Sequence, residues 1–378
     1  MNAIRPFDAA PDLLRDAEII NEFMRLGLSE FEVLAKNFDL GDDAEAGLCL
    51  AIALRAYAAG DMSLTLLTFK EFVTNAHHMP ALGRVFEVFY KAVTHGFGYA
   101  ATQWAQFAVE IYNAQPANPD AQRIVLEFFT YFGLWNHALT ILAQLPADRF
   151  EPWRRHIMLA RARAEGFQPQ CRFSFLVLTW NRAGLLDRCL TEIRAKAGSL
   201  DYEILLGVNA SEDDTAQVLK KHAIDQMFWN SRNDSIDYYR TLFNAAHGNI
   251  LIVIDDNVVE LPESFDLTLE HYLKTFSEFG YISFQPTLIS PEDGERVDME
   301  GAPDSGYREM ERDGLTIHAG PVWGCCAAIS KRDWLDIGGF YGVKMSKTIG
   351  EEPQIVRKLL MRDREGAMIR NQTVLKAY

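Results

Sequence analysis

The chain has 378 residues, 48% hydrophobic and 24% charged, the balance of an ordinary globular protein with material for more than one core. Its formal charge of −15 argues against general binding to nucleic acid or to an anionic membrane, which needs a basic surface, but leaves room for a local basic pocket. The five cysteines, Cys49, Cys171, Cys189, Cys325 and Cys326, form no CxxC pair, as expected of reduced, mostly buried thiols in a cytoplasmic protein. His77–His78 has no partner nearby at a metal-ligand spacing. No signal peptide opens the chain, and no apolar run reaches the roughly 20 residues of a bilayer span. Work at the inner face of a membrane would therefore need a partner or a surface contact.

Residues 1–168 read as an all-helical domain, with apolar residues at helical spacing and little alternation. Helices are expected over 43–59 and 62–75, then over 81–95 and 100–112, then over 120–132 and 136–145. Pro116, Pro119, Pro146 and Pro152 are expected in the connections, where a missing N–H does least harm. Gly60, Gly96 and Gly133 mark turns 36 and 37 residues apart, each followed by a similarly placed threonine: Thr65, Thr102 and Thr140. Such a period points to stacked helical hairpins, and GDMSLTLLTFKEF resembles the second half of a tetratricopeptide repeat. Two roles stay open: a concave surface that holds a partner, or a plain helical domain that supports its neighbour or mediates dimerisation.

Residues 165–172 are the expected linker, and the period then changes. Strands are expected over 173–179, 202–208, 226–229, 250–254 and 323–330. Helices are expected over 184–196, 212–222, 235–247, 262–278, 331–337 and 350–364. Strands alternating with helices of this length mean βαβ units and a mostly parallel sheet over 169–378. Residues 280–322, rich in Gly, Pro and charge, are expected to be an irregular substrate-facing loop.

The chemistry gathers at strand ends. The aliphatic run 250–254 stops at Asp255–Asp256–Asn257, two carboxylates and an amide at the carboxyl end of a buried strand. Open α/β sheets bind ligands there, and oxygen ligands suit a divalent cation, which in turn suits a diphosphate; a polar turn is the plainer alternative. Two more strand ends, Thr179–Trp180–Asn181–Arg182 and Asn209–Ala210–Ser211–Glu212–Asp213, converge on the same crevice, and each feeds a helix whose first amides could receive negative charge. Neither GxGxxG nor GxxxxGK[ST] occurs at these turns, which argues against a dinucleotide fold and a P-loop.

Five segments, FSFLVLTWNRAGLLDRCL, YEILLGVNASEDDT, NILIVIDDNVVELP, WGCCAAISKRDWLDIGGF and GEEPQIVRKLLMRDREGAMI, resemble in order and spacing the motifs of family 2 glycosyltransferases of the GT-A fold. The resemblance covers residues 172–370. It implies a mostly parallel nucleotide-binding sheet flanked by helices. It implies that Thr179, Trp180, Asn181 and Arg182 line the nucleotide end of the cleft, and that Asn209 reads the base where the family has an Asp. Val208 replaces the first Asp of that family pair, of which Asn209 takes the second place. Asp255 would hold ribose or metal, and Asp256 and Asn257 would face a Mn²⁺ or Mg²⁺ ion and the diphosphate, with Asn257 in place of the family's final Asp. Arg240, on the helix before that strand, would neutralise a phosphate, or is an exposed helix arginine. Glu352, or Glu351 beside it, stands where the family keeps its catalytic base.

The function implied is inverting transfer of a sugar from a nucleotide-sugar donor to a hydroxyl of a glycan, lipid-linked or protein acceptor, which the helical domain could hold. The alternative is a helical scaffold or binding protein whose transferase-like domain is inactive, suggested by Val208, Asn257 and the Glu pair.

Overall fold

The computed structural model of the chain describes residues 109, 112–113, 116–117, 119–290, 295–297, 307–341, 351–360 and 362–377. The helices expected before residue 109, the GDMSLTLLTFKEF segment, Gly60, Thr65, Gly96, Thr102 and His77–His78 lie outside the described residues; of the repeat pattern, Gly133 and Thr140 fall within them. The chain divides into two compact units, Met1–Leu159 and Ala160–Tyr378.

In the first unit α1 (Pro119–Tyr131) and α2 (Trp135–Leu142) flank Gly133, which takes φ +66°. That left-handed conformation suits glycine and lets the Leu134 N–H reach the Phe129 carbonyl at 2.7 Å, closing α1. Phe128, Phe129, Tyr131 and Phe132 are buried against Ala138 and Leu142. Helix α3 (Ala147–Gly166) carries Pro152 inside it. The proline was expected in a connection; it is accommodated in the second turn at the loss of one main-chain bond.

The second unit is a mixed α/β sheet with flanking helices. Its strands are β1 (Cys171–Thr179), β2 (Tyr202–Asn209), β3 (Gln226–Asn230), β4 (Gly248–Asp255), β5 (Val258–Glu260), β6 (Phe279–Ile289), β7 (Arg296–Val297), β8 (Arg308–Arg312), β9 (Leu315–Ala319), β10 (Cys326–Ser330) and β11 (Glu365–Ala377). The sheet order is β3-β2-β1-β4-β10-β6-β11-β9-β8, with β5 on β11 and β7 on β6. The first four strands are parallel. β10 runs antiparallel to both β4 and β6, while β11 is parallel to β6 and antiparallel to β9.

The helices between them are α4 (Ala183–Lys196), α5 (Thr215–Leu219), α6 (Tyr239–Ala245, after a 3₁₀ turn at Ser235–Tyr238), α7 (Phe265–Thr275), α8 (Lys331–Asp336) and α9 (Glu351–Leu360). α4 shows why these segments dock. Leu186, Cys189, Leu190 and Ile193 recur at three- and four-residue spacing and are all fully buried. They join Phe173, Phe175 and Val177 of β1, Ile204, Leu206 and Val208 of β2 and Ile250, Ile252 and Ile254 of β4 in one core.

The region expected to be an irregular loop over 280–322 is otherwise. It contributes most of β6 and the β8–β9 hairpin. The hairpin turns on Asp313–Gly314, whose φ values of 53° and 75° suit a two-residue turn of the primed kind. The helix expected over 350–364 ends at Leu360, and β11 (Glu365–Ala377), which the sequence reading did not include, follows it.

Candidate active site

The β1–α4 and β2–α5 turns are bonded to each other. Asn181, at φ 51°, accepts at Oδ1 from the Glu212 N–H (2.8 Å), and its own N–H donates to Ser211 Oγ (3.0 Å). Asp213 accepts from the Ala183 N–H at 2.8 Å and from the Thr215 N–H at 3.1 Å, so one carboxylate serves the first amides of both helices. Burial pushes the Asp213 carboxyl up, but its bonds with Thr215 and Ala183 outweigh this and hold it below the usual range. Trp180, between Thr179 and Asn181, is 47% exposed.

Asp256 sits under this pair of turns. It is buried, and both its oxygens are taken: Thr179 Oγ1 donates to Oδ2 at 2.8 Å and Arg182 Nη1 to Oδ1 at 2.9 Å. Burial raises its carboxyl pKa, aided by Asp255 and opposed by Arg182 and Thr179. Asp255 pairs with Lys376 of β11, an ion pair between residues 121 apart in the chain. Burial works against the Lys376 ammonium, but Asp255 more than compensates and raises its pKa.

Glu352, in the first turn of α9, accepts from the Gly324 N–H at 2.7 Å, and the Asp255 N–H donates to the Cys325 carbonyl at 3.0 Å. The short Gly324–Cys325 segment therefore ties the expected base to the end of β4. Burial, with the charge of Asp255 nearby, raises the Glu352 carboxyl pKa against the pull of the Gly324 amide and Lys376. Glu351 is described by its main chain alone. The same electrostatics, burial first and then Asp255, push the Cys325 thiol up to about 12. All four described cysteines are free.

Three parts of the expected site have other engagements in the structure. Asn209 was expected to read a base. Its amide is buried and spent internally: Nδ2 donates to Asn233 Oδ1 (2.8 Å) and the Ser235 carbonyl (2.9 Å), and Oδ1 accepts from Asn230 (3.2 Å) and the Asp234 N–H (3.0 Å). It organises the 230–235 turn. Arg240 was expected at a phosphate. Its guanidinium instead bonds Asp237 (3.0 Å) and the Phe340 carbonyl, linking α6 to the Gly338–Gly339–Phe340 turn.

The third concerns the metal expected at Asp256 and Asn257. Asn257 Nδ2 donates to the Ala377 carbonyl, and its buried Oδ1 has no partner among the described residues, the one feature that favours a cation. Against it, Asp256 is already paired with the Arg182 guanidinium and bonded by Thr179, and Asp255 carries the Lys376 ammonium. One neutral oxygen beside two carboxylates that already hold their own cations is a poor donor set for a divalent ion, which needs several oxygens with uncompensated charge. Among the described residues no three His, Cys, Asp or Glu side chains gather into a metal-binding group.

Lys376 escaped the sequence reading altogether, since a lysine in the pattern TVLKA carries no signal of its own. The structure thus brings Thr179, Arg182, Asp255, Asp256, Glu352 and Lys376 into one linked set and leaves Arg240 outside it. No helix among the described residues is long and apolar enough to cross a membrane.

No curated protein matches the sequence. Among solved structures, S. aureus TarS 1–349 aligns at 11% identity over 55% of this chain and 60% of that one, with a TM-score of 0.38. The same TarS piece in complex with UDP-GlcNAc aligns at 10% identity over 55% of this chain and 58% of that one, TM-score 0.40. The mannosyltransferase PcManGT from Pyrobaculum calidifontis, in complex with GDP-Man and Mn²⁺, aligns at 15% identity over 65% of this chain and 68% of that one, TM-score 0.39. Residues 174–336, from β1 to the end of α8, match the family model described as Glycosyl transferase family 2.

Proposed function

We propose that residues 160–378 carry an inverting glycosyltransferase, which moves a sugar from a nucleotide-sugar donor to a hydroxyl of a glycan, lipid-linked or protein acceptor. The observation that carries this reading is the Gly324–Cys325 link, which sets the Glu352 carboxylate beside the acidic end of β4 in a chain whose residues 174–336 match a glycosyltransferase family.

In this reading Trp180 and Asn181 line the nucleotide end, and Arg182 and Thr179 hold Asp256 against them. Asn209 shapes the neighbouring turn, and Asp255 faces the ribose. Glu352 takes the proton of the acceptor hydroxyl as its oxygen bonds to C1 from the face opposite the departing nucleoside diphosphate. Its raised pKa suits a base, provided the pH is high enough to ionise it. Residues 1–168 would recruit the acceptor. The divalent ion is not carried into the reaction, because the carboxylates that would hold it are already paired.

Incubating the full chain with UDP-, GDP-, dTDP- and CMP-sugars tests this. One donor should be consumed, and NMR of the product should show the opposite anomer. Glu352→Gln should lower the rate by about 10²–10⁴-fold. The wild-type rate should fall on acidification at a pH above the ordinary carboxylate range, because the ionised form is the active one and its pKa is raised. A folded chain that consumes none of the donors would instead be the scaffold suggested by Val208 and Asn257.

A further inference from the structure

We propose that Lys376 donates to the departing phosphate oxygen of the donor, in the place of a divalent metal ion, so that the transfer runs without metal. The inference rests on the glycosyltransferase reading and extends it to the leaving group.

Three observations carry it. The first is charge. A divalent ion on two bare carboxylates brings their sum to zero. Here Arg182 on Asp256 and Lys376 on Asp255 already do so, so neither carboxylate keeps the uncompensated charge that draws a divalent ion.

The second is placement. Lys376 is not a loose surface lysine. Its main chain lies opposite Val258 in the β5–β11 pairing, at a register shift between Leu375 and Lys376. The next residue is clamped to Asn257 from both sides: the Ala377 N–H donates to the Asn257 carbonyl at 2.9 Å, and the Asn257 amide donates back to the Ala377 carbonyl. Sheet pairing thus delivers the ammonium to the Asp255–Asn257 corner.

The third is capacity. The Lys376 and Asp255 side chains keep 26% and 28% of their surface exposed. An ammonium has three donors, and Asp255 is its hydrogen-bond partner among the described residues. It can keep Asp255 and still donate to a phosphate oxygen.

The step balances without a further reagent. The acceptor oxygen forms its bond to C1 while the bond from C1 to the phosphate oxygen breaks. The electron pair leaves with the nucleoside diphosphate, and the acceptor proton passes to Glu352. Lys376 stabilises the charge that grows on the departing oxygen.

The test uses the full chain and the donor found active in the panel above. Turnover should be unchanged by EDTA and not raised by Mn²⁺. Lys376→Met should lower kcat by about 10²-fold with a smaller change in donor KM, while Lys376→Arg keeps most of the activity. Paramagnetic resonance of Mn²⁺ mixed with nucleoside diphosphate should be unaltered by the wild-type chain but altered by Lys376→Met, whose Asp255 is left bare. Thermal melting establishes that the variant is folded, and the EDTA comparison needs no variant. Loss of wild-type turnover in EDTA, restored by Mn²⁺, would overturn the role of Lys376 and leave the transferase reading standing. So would full activity of Lys376→Met in EDTA. If no donor is consumed with or without Mn²⁺, both readings fall.

Discussion

The two halves of the sheet hold their functional groups on different scales. In the parallel half, β3-β2-β1-β4, the contacts that tie the turns together span 30 to 77 residues, from Asn181 with Ser211 to Thr179 with Asp256. In the mixed half, β10-β6-β11-β9-β8, the decisive contacts span the chain: Asp255 with Lys376 and Asn257 with Ala377. The first half is a set of βαβ units, each completed by its own turn. The second acquires its shape only when the sheet closes. A substitution at the turn between α4 and β2 should therefore act mainly on stability, and one at the corner where β11 meets Asp255–Asn257 mainly on the site.

Three substitutions press on that contrast. The largest stability effect is expected at Asp266, a fully buried carboxylate that accepts from the Gly198 and Ser199 N–H groups at 2.7 and 2.9 Å and so fixes the turn between α4 and β2. Asp266→Ala strands two amides and should cost about 3 kcal/mol in urea unfolding. A cost under about 1 kcal/mol would mean that water satisfies the turn and that the parallel half is not held as described. A smaller effect is expected in the mixed half. Asn257→Ala removes one hydrogen bond and an unpartnered oxygen, for about 1 kcal/mol, yet it loosens the strand that carries Lys376. Its mark should be a drop in kcat greater than the stability loss accounts for. If activity is unchanged, Ala377 does not position Lys376.

The gentlest effect is a pH slope. Burial lowers the Lys331 pKa to about 7, with its ammonium on the Phe243 carbonyl and 4.5 Å from the Trp334 ring. The folded value lies below that of the unfolded lysine. Between the two the unfolded chain binds the extra proton, so this group makes stability rise with pH from about 7 toward the ordinary lysine range. Lys331→Met should flatten the rise in melting temperature over that window, and an unchanged slope would show that the ammonium stays charged when buried.

How much of this the sequence could reveal follows the same division. The ends of β1, β2 and β4 were legible because each is an aliphatic run that stops at polar residues, a pattern local enough to read in one window. Residues 280–322 were not, because their Gly, Pro and charge obscured β6 and the β8–β9 hairpin, although Asp313–Gly314 was a turn signal in plain view. Engagements were illegible where a side chain has the right chemistry for a ligand but bonds to its own chain. Asn209 and Arg240 have suitable donors, and only coordinates show that these are spent on Asn233, Ser235, Asp237 and Phe340. Lys376 lay beyond reach for the opposite reason: its significance comes entirely from a pairing 121 residues away.

The position of β11 bears on the order of assembly. It follows β10 in the chain but inserts between β6 and β9. While residues 365–377 are still inside a ribosome, β6 is paired with β10 and the short β7 but its edge toward β11 is open, and the β8–β9 hairpin has no strand to dock on. The emerging chain would carry an open hydrogen-bonding edge, a template for pairing with other chains, until its last described strand arrives. Synthesis would then close the sheet and deliver the cation to Asp255 in the same event, so that a chain cut short before residue 365 would be prone to aggregation as well as inactive.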